Sequence, residues 1–379
     1  MVRWLFKYGA LIFLFNTVFL SIEATYTIGN QIFLGLMILF SFVLIINPKN
    51  TKKILLNKAF SFLLILNAIN LSYWLLFHDI SDLEALKYLL ARGVQFSIIS
   101  VSIYHHYEYY SDKFFTHLVY LIFIIVTIGI IINPHLFSAR YMGIMWNPNA
   151  LASFTTIGFG VLLLKNRDKT NFEFFLLFLF LIISITTGSR GVLVGVVLAF
   201  VIRYGFSIRN IFYTVIGIIT FLLIINLNFD TSLNRFGANS LLNDRWIQFY
   251  YAFDTFLQKP YSGWGLDKYA FIDKSIIPYY LRGVIIGAHN GYLAILVQYG
   301  ALFSILIFYI IFSKSYSLLN YFRKTRVGYT AIYFFIIIYT LIASIYESLM
   351  TGINEFHTIL FWFSLAILSY SKISKVDED

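Results

Sequence analysis

Arginine, histidine and carboxamide side chains recur in this sequence just where apolar helices begin, and groups of that kind bind anions. The densest set lies in residues 243–300, NDRWIQFYYAFDTFLQKPYSGWGLDKYAFIDKSIIPYYLRGVIIGAHNGYLAILVQYG, the one long interval rich in polar and charged residues. It carries Arg245, a Gly263-Trp264-Gly265 turn, Asp267, Arg282 and then His289-Asn290 at the mouth of a new apolar run. Arg245 falls in the first turn of a helix, where a cation opposes the helix dipole. An anion bound there relieves that conflict. Elsewhere, TTGSRG (186–191) brings Ser189 and Arg190 to a helix start between two glycines, and NPN (147–149) offers a cap, a first-turn proline and Asn149 to spare. Arg140 stands in the preceding loop, and Glu347, Glu355 and His357 in the last one. These last three equally suit a solvated loop.

The elements that must position these groups are membrane helices. The chain of 379 residues is 59% hydrophobic, 20% aromatic and 12% charged, with a mean hydropathy of +0.78, well outside the range of soluble domains. A bilayer core about 30 Å thick takes ~20 apolar residues per helix. Twelve runs are candidates: 4–22, 28–46, 59–77, 86–104, 114–132, 149–164, 172–187, 191–203, 211–227, 290–312, 329–346 and 357–371. The expected fold is therefore all-α: one integral membrane domain over 1–379, with a large extracytoplasmic loop at 228–289. Arg3 and Lys7 precede the first run without a small-residue cleavage site after it, so it reads as a retained helix. Most of the 28 Lys and Arg fall in segments that are cytoplasmic if both termini are, which sets the orientation. The net charge of +10 is then a topology signal and little reason to expect nucleic acid.

Within the loop, residues 244–258 read as a helix lying along the membrane surface. Trp246, Phe249, Tyr250, Phe253, Phe256 and Leu257 recur at three- and four-residue spacing, and Arg245, Gln248, Thr255 and Gln258 take the other face. Arg92, roughly 9 Å inside the fourth run at 1.5 Å per residue, reads either as a carbonyl-paired arginine or as a functional one. His105-His106 is interfacial, and with no cysteine and no further ligand at suitable spacing there is no metal site. The sixth, eighth and tenth runs all travel inward, so Asn149, Arg190 and His289 each meet the outer face at a helix N-terminus. Free N–H groups there favour anions, and guanidinium forks pair phosphate oxygens. Together they describe an extracytoplasmic phosphate site.

NPNALASF (147–154), TTGSRG (186–191), DRWIQFYYAF…KPYSGWGLDKY (244–269) and AHNGYLAILVQYGALFSILIF (288–308), in that order, resemble the O-antigen polymerase and ligase superfamily of bacterial polysaccharide assembly. The resemblance implies an inverting, metal-independent glycosyl transfer with no cofactor, using a polyprenyl-pyrophosphate-linked oligosaccharide as donor. Arg190 and Arg245 match family arginines that hold the pyrophosphate, with Arg140 or Arg282 assisting. His289 matches the motif histidine, a base or orienting group for the acceptor hydroxyl, with Glu347 and Asp267 as rivals. Asn149, Ser189 and Asn290 complete the substrate-binding set. Val194 and Phe303 depart from the ligase pattern, which favours a polymerase of lipid-linked repeat units making capsule, exopolysaccharide or O-antigen. The alternatives are a ligase to a lipid A core or other surface acceptor, and a lipid-linked glycan flippase. Expected partners are the donor and acceptor glycolipids, membrane lipid, a flippase and a chain-length regulator. The implied location is the bacterial cytoplasmic membrane.

Overall fold

The computed structural model describes the chain except residues 1, 47, 138–139, 166–167, 206, 208, 211, 213–242, 284, 286, 327 and 377–379. The expected ninth span, apart from Phe212, and the first part of the expected loop lie outside the described residues. Every regular element among those described is helical. In chain order they are α1 (Val2–Leu20), α2 (Tyr26–Ile46), α3 (Pro48–Leu55), α4 (Ser61–Phe77), α5 (Leu83–Glu108), α6 (Phe114–Ile132) and α7 (Pro148–Leu164). Then follow α8 (Asn171–Thr186), α9 (Arg190–Tyr204), α10 (Asn243–Gln258), α11 (Gly291–Thr325), α12 (Gly328–Ala343) and α13 (Phe356–Val376). Among the described residues five helical stretches are long and apolar enough to cross a membrane, and four further apolar helices run 10–17 residues.

Burial sorts these helices into centre and rim. In α13, 83% of the apolar window is buried, against 22% for the one that contains α2. A helix apolar all round belongs inside a bundle, and α13 packs with α1, α5, α11 and α12. Rim helices instead turn Ile38, Ile45, Leu75 and Ile131 outward, as lipid-facing positions require. The fourth and fifth expected spans emerge as one helical stretch, Leu83–Ile132. His106, at φ −134 and ψ 35, leaves the helical region just before a π turn at Tyr109–Lys113. The break falls where the sequence changes from apolar to Tyr- and His-rich.

The tenth run departs from a simple span. Gly300 (φ 67, ψ 174) interrupts α11, freeing backbone groups that a membrane cannot solvate. The Gly263-Trp264-Gly265 turn plugs the gap. Trp264 N donates to Val297 O (2.9 Å), Gly265 N to Gln298 O (3.1 Å) and Ala301 N to Pro260 O (2.7 Å). The Tyr73 hydroxyl donates between the carbonyls of Ser262 (2.5 Å) and Gln298 (2.8 Å). His78 accepts at Nε2 from Leu266 N (3.1 Å), which leaves its Nδ1 proton for Asp82 (2.7 Å). Asp82 also caps α5 through Ala85 N. The turn is thus a brace between α4, α5 and α11.

Arg92 settles as the carbonyl-paired case. Its Nη2 donates to Thr351 O (2.6 Å) and Gly352 O (3.1 Å), and Gln95 Nε2 donates to Ile353 O (2.5 Å). These bonds fix the connection between α12 and α13, which carries Glu347. Buried carbonyls that lose a charged donor cost about 3 kcal/mol. Arg92→Leu is therefore expected to lower the thermal midpoint of the detergent-solubilised protein by several degrees, and an unchanged midpoint would show that the connection holds without it.

Candidate active site at four helix starts

Four helix starts converge on the α12–α13 connection. Asn147 caps α7 through Asn149 N (2.8 Å), with Pro148 in the first turn. Asn290 caps α11 by accepting from Tyr292 N (2.9 Å) and Leu293 N (3.0 Å). The same residue ties α11 to the end of α12, because Asn290 Nδ2 donates to Ile345 O (2.8 Å) and Gly291 N to Ser344 O (2.7 Å). This docking holds His289 at φ 41, a left-handed conformation uncommon outside glycine. It also brings Glu347, two residues beyond Ile345, up to the imidazole.

Glu347 is the hub. Its Oε1 accepts from Arg245 Nη2 (2.8 Å) and Asn149 Nδ2 (3.1 Å), and its Oε2 pairs with His289 Nδ1 (3.2 Å). Asn149 Oδ1 accepts in turn from Arg140 Nη2 (2.7 Å), while Arg140 Nε donates to Thr187 O (3.0 Å) in the turn before α9. Arg245 lies over the Tyr346 ring, 5.8 Å from its centroid. Its other terminal nitrogen, Nη1, is buried with no hydrogen-bond partner among the described residues. Arg190 opens α9, with Ser189 in extended conformation at the position before it and making no side-chain capping bond. A Cβ built on the next residue, Gly191, would stand 3.2 Å from Tyr346, so that helix start abuts the cluster.

The charges are unequal and partly exposed. Side-chain exposure is 21% for Glu347, 26% for Arg245 and 33% for His289. Burial pushes the Glu347 carboxyl up, but the His289 hydrogen bond and the Arg245 charge outweigh it and hold the group below its usual range. At Glu355 burial dominates and raises the carboxyl to about 7, against a hydrogen bond from Thr358 and the Arg92 charge that lower it. Among the described residues no group of three or more His, Cys, Asp or Glu is arranged to hold a metal ion.

Of the residues singled out in the sequence, His289, Asn290, Arg245, Arg140, Asn149 and Glu347 form one linked network, and Ser189-Arg190 adjoins it. Glu347 is no freely solvated loop residue: it is three-quarters buried and satisfied on both oxygens. Two others stand apart. Asp267 pairs with Lys268 beside His78 in the brace, and Arg282 is exposed, its Nε tied to Ile277 O (3.0 Å). Tyr346, His78 and Tyr73 went unread in the sequence because single aromatic and imidazole side chains near span ends carry no spacing signal.

Such a cluster, cationic and set among helix N-termini, is suited to hold an anionic leaving group beside an imidazole that can take a proton. Residues 175–309 match the family model described as O-antigen ligase. The match supports the O-antigen polymerase and ligase superfamily. It runs from Phe175 in α8 to Tyr309 in α11 and so takes in Arg190, Arg245 and His289; Arg140, Asn149 and Glu347 lie outside it. Proteins of this family are membrane enzymes of glycosyltransferase type that act on lipid-linked glycans. No curated protein matches the chain.

Proposed function

We propose that the chain polymerises polyprenyl-pyrophosphate-linked oligosaccharide repeat units by inverting, metal-independent glycosyl transfer at the outer face of a bacterial cytoplasmic membrane. The proposed setting is twelve spans, both termini cytoplasmic, and a large outer loop over 228–289. The observation that carries the reading is the Arg245–Glu347–His289 chain, in which one end is a cation with a buried N–H group that has no partner among the described residues and the other an imidazole fixed through one nitrogen. In this mechanism the donor's pyrophosphate lies against Arg190 and Arg245 and the starts of α9 and α10, with Arg140 nearby. The acceptor hydroxyl attacks the anomeric carbon from the opposite face, forming the new C–O bond. The old C–O bond breaks, its electron pair leaves with the pyrophosphate, and the hydroxyl proton passes to His289 Nε2. Fixed cations stabilise the developing charge. Arg282 and Asp267 take no part in this pocket.

A ligase reading shares every step except the acceptor, and the family match is compatible with either role. Purified protein in lipid, given its repeat-unit donor with chelator present, separates the two. A ladder of longer lipid-linked products, lost in Arg190→Ala and Arg245→Ala, supports the polymerase. Product only on addition of a separate surface acceptor supports the ligase, and lipid crossing the bilayer with no product in either condition overturns the enzyme class.

A further inference from the structure

Arg245 poses a question of occupancy. A pyrophosphate that docks on it arrives at a guanidinium already engaged by Glu347 Oε1 at 2.8 Å. The carboxylate also holds His289 through its second oxygen. Glu347 therefore spans the distance between the group that would bind the leaving anion and the group that would accept the proton. Its geometry is that of a two-oxygen anion in a site built for a larger one. Arg245 Nη1 remains buried beside it with no hydrogen-bond partner among the described residues, so within them the carboxylate fills only part of the donor capacity available.

Resting on the function proposed above, we infer that Glu347 is a built-in stand-in for the donor pyrophosphate, exchanged on binding. The incoming phosphate oxygens take over Arg245, including the Nη1 that Glu347 leaves unsatisfied. Freed from that pair, the carboxylate has His289 Nδ1 as its charged partner. A carboxylate with one hydrogen-bonded cation fewer concentrates its charge on the imidazole, which makes Nε2 a stronger base. The base is thereby strengthened only when a leaving group is in place. Before that, the internal ion pair keeps Arg245 charge-compensated in a half-buried setting where an unpaired cation is costly. Asn149, which donates to the same oxygen of Glu347 and is itself fixed by Arg140, retains the carboxylate in the site during the exchange.

The test uses full-length protein in detergent and farnesyl pyrophosphate as the probe. Glu347→Gln keeps the side-chain shape and removes the competing charge. It is expected to bind the probe about fivefold more tightly than wild type, whereas Arg245→Ala binds it more weakly. In the Arg245→Ala background the gain from Glu347→Gln is expected to vanish, since there is no guanidinium left to compete for. Glu347→Asp, with the carboxylate withdrawn by one methylene, shifts affinity in the same direction by a smaller factor and serves where the Gln variant folds poorly. In turnover, Glu347→Gln lowers donor KM and kcat together, a split that loss of structure does not produce. Equal or weaker probe binding by Glu347→Gln and Glu347→Asp, with Arg245→Ala still weakening it, overturns the exchange and leaves the pyrophosphate site standing. Probe binding indifferent to Arg245→Ala as well overturns both.

Discussion

His289→Asn is expected to lower the rate of glycosyl transfer by 10²–10⁴-fold, the usual worth of a positioned general base, while donor KM changes by a small factor only. Asparagine is the better substitution here because the backbone at position 289 has φ 41, a region that Asn tolerates and Ala does not. Fold loss and base loss are thus kept apart. The argument for so large an effect is one of orientation. Nδ1 is turned to Glu347 at 3.2 Å, and the residue after it caps α11, so the ring has little freedom and Nε2 is the nitrogen left for a hydroxyl. Initial rates of product-ladder growth at saturating donor measure it. Residual activity within tenfold of wild type would move the base elsewhere and reduce His289 to a cap-adjacent positioning residue.

The sequence made the parts of this site legible, and the connections between them less so. Arg245 in a helix first turn already demanded an anion, and one is there; it comes from the chain itself, 102 residues further on. No pattern announces that pairing, because Glu347 lies in a short loop whose carboxylates look solvated until Arg92, Asn290 and Gly291 pin its backbone. The helix α10 was legible as an amphipathic pattern, and its packing runs opposite to that of a soluble domain. Gln248, Ala252 and Thr255 are buried, while Trp246, Tyr250, Phe253 and Leu257 are exposed. In a chain built for lipid the small and polar face seeks the protein, so periodicity locates the stripe without saying which way it points. Apolar runs likewise located α1, α2, α4–α9 and α11–α13, but the interruption at Gly300 was invisible, since a glycine within an apolar run reads as a tolerated helical residue. Only the turn 37 residues earlier explains why it is there.

Gly263→Ala is expected to be among the most damaging single-methyl additions in the protein. A Cβ at Gly263 would stand 2.5 Å from both Gln298 O and Gly300 N, and its φ is +67. Alanine therefore meets two penalties: a left-handed backbone costs roughly 1–2 kcal/mol, and forcing a methyl against backbone rather than a yielding side chain costs about 1–3 kcal/mol more. Relief requires the turn to withdraw from the gap in α11. Withdrawal breaks the bonds from Trp264 N, Gly265 N and Ala301 N and leaves carbonyls of a membrane helix unpaired. The expected result is a thermal midpoint lowered by about 5 °C and a reduced monodisperse fraction on size-exclusion chromatography. Gly283→Ala, where a Cβ meets nothing within 4 Å, is the matched control and should leave both unchanged. Gly300→Ala presses on Tyr261 O and Gly263 N from the other side. The two substitutions displace the same turn, so the double variant should lose clearly less than the sum of the single losses. Were the losses to add in full, the turn and the break would be independent features, and the brace that aligns α11 beneath His289 would have to be sought elsewhere.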